Sequence, residues 1–413
     1  MKIRSLLLGS LAAAGLSTAG FAADLGVVTS LDVCDELGLS GLTISSDDNC
    51  LVITGGVTYE YAFGSYAPGA QVIAFDGAGI GATTRIEDSI APGLDASSDV
   101  DAWLKFVASA DSDFGLATAT IKLISENNTG TSDWSVGIDE AWVGIGDTTM
   151  IMAGYKSSIF ADGDDVPLNY LGLFLSDKVD KGVGFTDAAP STGGTVIQVV
   201  SNLGNGLSVG VGAEALGKMV MLQPVPSLVG VISYAGDGIA AHASGAIDRA
   251  GAWKVHSGFT GTWDPISVVG AVAADSSGYW NALGSVKATF DMFTLAASAE
   301  ATNMGEWGVG GSISATVTDG VTINLGSKYF QDTTGTTVTA WQSEAGISAL
   351  VTETVTLSAA VGYLSTTDVA GNVFYGKAGV AWAPGGGFDL SLNGEANSSG
   401  AYKGTFKASK SIK

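Results

Sequence analysis

The chain is short of charge, proline, cysteine and histidine, and it lacks long apolar runs. Only 14% of its 413 residues are charged, against roughly a quarter in an ordinary soluble domain. The deficit falls on the bases: 18 Lys and Arg face 41 Asp and Glu, for a formal charge of −23. That balance argues against nucleic acid or an anionic membrane surface as a partner. Two cysteines and the two distant histidines, His242 and His256, supply no four-ligand zinc site at any recognised spacing. Beyond the first 23 residues, no stretch approaches the ~20 consecutive apolar residues of a spanning helix. Even so, 46% of the residues are apolar and the mean hydropathy is +0.33, which excludes disorder. The apolar surplus must come in short pieces. The 59 Gly and 8 Pro suit many short, closely turned strands, because Gly costs about 1 kcal/mol in a helix interior.

Lys2 and Arg4 precede the apolar run Leu6–Ala14, and Gly20-Phe21-Ala22 places small residues at a cleavage site. Residues 1–22 therefore read as a secretory signal peptide, whose removal takes the formal charge from −23 to −25. Export makes a bridge between Cys34 and Cys50 the expected state, worth about 3 kcal/mol in the chain-entropy view, with two free thiols as the other reading. Residues 23–49 form an N-terminal extension that carries Cys34, and the first strand starts after Cys50.

Alternation with period two dominates residues 50–413. Trp253, Val255, Phe259 and Trp263 share one strand face, opposite Lys254, His256, Thr260 and Thr262. Trp280, Val286 and Phe290 likewise oppose Asn281, Ser285 and Lys287. Ten residues at ~3.3 Å, tilted ~40°, project to about 25 Å, the height of the apolar band between the aromatic girdles of an outer-membrane barrel. Trp253, Trp263, Trp280 and Phe290 are thus expected at those girdles. Residues 133–145 break the rule, with Glu140 on the same face as Trp134, Val136, Ile138 and Trp142; a bulge or a protein-covered patch is expected there.

Nine tight-turn sequences, among them Gly204-Asn205-Gly206, Asp237-Gly238 and Asp319-Gly320, divide the strands into hairpins. With both ends of the barrel segment on one side, they imply up to 20 antiparallel strands, or 16 to 18 if some are false. Residues 156–193 are too long for a turn. A barrel this large leaves a wide aqueous bore, so this third loop is expected to fold inward and set its diameter, pinned by Leu171, Leu173, Phe174 and Leu175. Asp162, Asp164 and Asp165 then face wall bases such as Lys105, Lys122, Lys254 and Lys287 across a constriction. The same acids also fit a solvated loop tip or a Ca²⁺-binding turn; no other cofactor is implied. Neither a G-x-S-x-G elbow nor an H-E-x-x-H helix accompanies the histidines, so no enzyme constellation is present.

Asp32-Val33-Cys34-Asp35, followed by Asn49-Cys50-Leu51-Val52-Ile53-Thr54-Gly55-Gly56-Val57-Thr58-Tyr59, resembles the start of the alphaproteobacterial general porins. Gly204-Asn205-Gly206-Leu207-Ser208 is similar to the turn that follows their pore loop. The resemblance spans about 60 residues. It implies a homotrimeric, 16-stranded diffusion porin in the outer membrane of a Gram-negative bacterium, with acidic third-loop residues facing basic wall residues. Its expected surroundings are membrane lipid and lipopolysaccharide, and its cargo is small hydrophilic solutes and ions. The chain departs from that pattern by running past Phe406 to Lys413 and by carrying only Arg85 and Arg249 beyond Arg4. The acidic balance adds an expected cation preference. A non-conducting structural or adhesin barrel, whose acidic loops bridge divalent cations to lipopolysaccharide, is the alternative.

Overall fold

The computed structural model describes residues 33–39, 41–46, 48–65, 96–127, 135–161, 166–175, 185, 190–217, 219–220, 223–224, 226–333, 337–367, 372–398, 400 and 402–412. Residues 1–22 and Asp162, Asp164 and Asp165 lie outside them. The described chain begins with a single-turn helix, Val33–Glu36, and a short strand, Leu42–Ser45, which pairs with the start of Cys50–Ser65. The Cys34–Cys50 disulfide ties this segment to the first barrel strand.

One sheet of 21 strands takes in nearly everything else, and without Leu42–Ser45 it is a barrel of 20. Each strand runs antiparallel to the next, and Tyr402–Ile412 closes the ring against Cys50–Ser65, from Ser65 opposite Tyr402 to Gly55 opposite Ile412. The 16 strands implied by the resemblance are too few, and the count from the turns is the one that holds. All nine turn sequences fall at, or within one residue of, the short connections along one rim. In three of them both central residues have positive φ: Asn205-Gly206 (51° and 80°), Asp237-Gly238 (51° and 77°) and Gly386-Gly387 (61° and 75°). Such turns carry the twist that antiparallel strands need, and a side chain at Gly206 would strike the Ala235 carbonyl.

The barrel is apolar outside and polar inside, the reverse of a soluble domain. Trp253, Trp263, Trp280 and Phe290 all point outward and are exposed, as are Val255, Val286, Leu325, Leu357 and Val361. The buried clusters lie in the bore, beneath the third loop. An apolar exterior of this extent is stable only against hydrocarbon.

The expected irregularity near Glu140 is a bulge. Ile138 pairs with Leu123 and Glu140 with Lys122, leaving Asp139 as the extra residue. Val136 and Ile138 stay outside, while Glu140 and Trp142 turn into the bore, where they meet Lys105 and Lys156. A strict alternation had placed Trp142 outside; the inserted residue reverses the face.

Two outcomes test this orientation. Val286 is outward, mid-strand and 44% exposed, so Val286→Arg should destabilise the barrel in lipid vesicles by about 2–4 kcal/mol. Asn393→Arg, on the bore face, should cost far less in the same urea titration. Cys34→Ser should make Val33–Ser45 sensitive to protease while the barrel stays resistant, because ring closure does not involve that segment.

Candidate functional site

The third loop leaves the strand Thr149–Lys156 and rejoins the wall at Gly194–Gly204. Its two ends are fastened to one carboxylate. Glu214, fully buried, accepts hydrogen bonds from Ser158 Oγ (2.5 Å), the Ile159 amide (3.0 Å), the Gly193 amide (2.6 Å) and Gln198 Nε2 (2.8 Å). Gln198 also donates to the Ser157 carbonyl at 3.0 Å.

Beyond these ends the described loop residues form no helix or strand, and the wall supplies backbone partners for them. Serines on the bore face form a ladder. The Ala161 amide donates to Ser244 Oγ, which donates back to the Ala161 carbonyl, both at 2.9 Å. The Leu168 amide donates to Ser285 (2.9 Å) and the Tyr170 amide to Ser312 (3.0 Å), while Ser298 donates to Asn169 Oδ1 (2.6 Å). The Leu175 amide reaches Glu300 at 2.9 Å. Lys328, buried, donates to the Leu171 and Leu173 carbonyls (3.1 and 3.4 Å) and stands 4.5 Å from the centre of the Phe174 ring. A buried donor or acceptor left unpaired costs about 1–3 kcal/mol, so these contacts determine where the loop can lie.

Shape complements the polar contacts. A Cβ added at Gly310 would come 2.7 Å from Asn169 Nδ2, and one at Gly326 would come 2.9 Å from Leu171 Cγ. These wall glycines form the bed on which residues 169–172 rest. Leu173 packs on Val269, Ala271, Ala273 and Leu283, and Phe174 on Phe330, Ala340 and Leu364. Leu283 and Phe330 face the bore and are apolar, a placement that alternation alone does not predict. Tyr170 reaches farthest: its hydroxyl donates to Glu344 (2.7 Å), which also accepts from Tyr375 (2.6 Å) and pairs with Lys377 (3.2 Å). Burial, and then the bond to Glu344, pushes the Tyr170 phenol above the ordinary tyrosine range. The bond therefore persists up to the usual pKa of about 10 and is lost only as pH rises past the folded-state value.

The contacts of the described loop residues fall on one arc of the wall, from Gly194–Gly204 round to Val355–Thr366. The opposite arc carries three ion pairs among the described residues: Lys105–Glu140 (3.2 Å), Lys122–Asp139 (2.6 Å) and Lys407–Glu60 (3.4 Å). Lys105 and Lys122 thus lie together, facing the bore from paired positions on adjacent strands. Lys254 lies elsewhere, against the loop, 5.1 and 5.6 Å from the Phe160 and Phe185 ring centres and 3.3 Å from Thr192 Oγ1. Lys287 shares the bore face of its strand and makes no ion pair among the described residues. Lys156, Lys377 and Lys407 were missed as wall bases; each sits at a bore-facing register position, a signal available only once the strands are aligned. His242 and His256 meet beneath the loop at 2.9 Å, and no group of three or more His, Cys, Asp or Glu suited to a metal occurs among the described residues.

Comparison with known protein families agrees with this architecture. The sequence matches a family described as the porin subfamily over residues 27–381. No curated protein matches it. Among solved structures, it is similar to a loop-deletion mutant of OmpT, an outer membrane protein of Vibrio cholerae, at 10% identity and TM-score 0.37, over 88% of this chain and 100% of that one. It is also similar to a multiply substituted porin of Rhodobacter blastica, at 11% identity and TM-score 0.39, over 87% of this chain and 99% of that one. With the family match running through most of a closed barrel that is apolar outside and has a loop folded into its bore, the chain belongs to the porin subfamily of outer-membrane channels.

Proposed function

We propose that this porin passes small hydrophilic solutes and ions by passive diffusion, with residues 156–193 setting the narrowest part of the bore and a preference for cations. The observation that carries the reading is the attachment of the loop inside the barrel by the serine ladder, Glu214, Glu300 and Lys328. A loop held this firmly against one arc confines permeating solutes to the space before the other. In this reading Asp162, Asp164 and Asp165, which follow the anchored Ala161 in sequence, supply the acidic side of the constriction, and wall bases such as Lys105, Lys122, Lys254 and Lys287 supply the basic side.

Charge supports the cation preference. The bases of the open arc bring their own counter-charges, Glu140, Asp139 and Glu60. They therefore neutralise little of the excess of 41 acids over 18 bases, and a bore of net negative field concentrates cations. The working unit is a homotrimer in outer-membrane lipid and lipopolysaccharide, by likeness to the family.

Planar-bilayer recordings test both parts. Ohmic steps are expected, and in a KCl gradient the reversal potential should take the sign of cation selectivity. Anion selectivity would remove the charge argument, and absence of steps would favour the structural or adhesin barrel. Glu214→Ala removes the acceptor shared by both loop ends. It should raise the mean conductance or the open-channel noise, and unchanged current and noise would mean that the loop does not limit flow.

A further inference from the structure

The arc opposite the loop holds a feature that simple diffusion does not require. Two tryptophans face the water of the bore on strands that flank Ala117–Asn127. Trp103, in Ala96–Ala110, is 36% exposed, and Trp142, in Ser135–Gly146, is partly exposed. Each lies low against the wall because a glycine makes room for it. A Cβ at Gly56 would come 2.8 Å from Trp103 Nε1, and one at Gly144 would come 3.2 Å from Trp142 Cζ3. The rings are laid on the wall like tiles, with area left toward the lumen.

Charged groups fill the space between them. Lys122 Nζ is 5.7 Å from the Trp103 ring centre and 2.6 Å from Asp139. Lys156 Nζ is 5.3 Å from the Trp142 ring centre. Glu140 pairs with Lys105 at 3.2 Å and accepts from Trp142 Nε1 at 3.3 Å. The bulge at Asp139 builds this arrangement, since it turns Glu140 and Trp142 inward and sets two carboxylates side by side. Trp103 is level with Ile124 and Trp142 with Thr120. Two strand spacings across and four residues along therefore separate the backbone positions of the two tryptophans by about 16 Å.

This pattern selects a chemistry. Exposed indole faces attract the C–H faces of rings. The intervening ammonium and carboxylate groups offer both donors and acceptors at close spacing. Three lysines against two acids leave the patch near neutrality, so neither a free anion nor a free cation gains much from it. The surface over each indole that a cation would take is already approached by a lysine. A neutral polyhydroxylated ring satisfies every element: it stacks on indole, donates to Asp139 and Glu140, and accepts from Lys105, Lys122 and Lys156. Resting on the porin reading above, we propose that this arc is a saccharide-binding site in the channel wall, suited to oligosaccharides long enough to touch both indoles.

The test uses the full-length channel in a planar bilayer, titrated with maltooligosaccharides from glucose to maltohexaose. Ion current should be blocked reversibly, with the half-blocking concentration falling as the sugar lengthens. Trp103→Ala and Trp142→Ala should each raise that concentration about three- to ten-fold, and Trp→Phe at either position should restore part of the effect. Ohmic steps from each variant report that it has folded. The proposal is overturned if channels conduct but oligosaccharides block no better than polyethylene glycols of equal size, or if the alanine variants block like the parent; the channel reading survives either result. Block by citrate or a nucleotide in place of neutral sugars would make the patch an anion site and also overturn it. Absence of any conductance removes both readings together.

Discussion

Hydrocarbon offers no hydrogen bonds, so every amide and carbonyl of a membrane-spanning strand must find its partner in another strand, and a sheet can satisfy that demand only by closing on itself. Here closure is made by Cys50–Ser65 and Tyr402–Ile412, the first and last strands of the ring. Once the ring is closed, the outward side chains have only to be apolar, and leucine, valine or tryptophan serve almost equally well there. Polar information is confined to the inner face, the turns and the long connections. The low charge content follows from that confinement, because half of each strand is unavailable to charge.

Closure creates the next problem, a bore wide enough to need filling. The chain places in it a segment whose described residues form no helix or strand, so their backbone groups look to the wall for partners. Ser244, Ser285 and Ser312 do for the loop what a neighbouring strand does for a strand. Glu214 and Lys328 act at the charged limit of the same logic: one carboxylate collects three donors from the two loop ends and a fourth from Gln198 of the wall, and one ammonium donates to two loop carbonyls. Such partners tie position to chemistry, because a shift of the loop by one residue would leave several buried groups unpaired.

Much of this was legible in the sequence because alternation and turn chemistry are local. Trp253 to Trp263 could be oriented from its own eleven residues, and the nine turns gave a strand number that the family resemblance understated. What could not be read was whatever depends on a third body. Leu283 and Phe330 look misplaced on a polar face until the loop covers them. Lys254 and Lys105 are equivalent in pattern, yet one meets the loop's aromatic rings and the other an acid of its own arc, Glu140. Trp142 parts from the face of Val136 and Ile138 because Asp139 inserts into the count, and the sequence marks only that something must give near Glu140, not which residue is extra.

Glycine joins these levels. A content of 59 in 413 first suggests turns, and at Asn205-Gly206 and Asp237-Gly238 it is used that way. Many of the others lie in strands, where Gly gives up packing area and backbone entropy. That cost is offset where a missing Cβ admits something larger. Gly310 and Gly326 admit the loop, and Gly56 and Gly144 admit the two indoles. In a barrel whose outer face is committed to lipid, the inner contour can be carved only by side-chain size, and removing the side chain is the deepest cut available. The bed of the loop and the tiles of the opposite arc are therefore made by the same device, used on opposite sides of the path that solutes take.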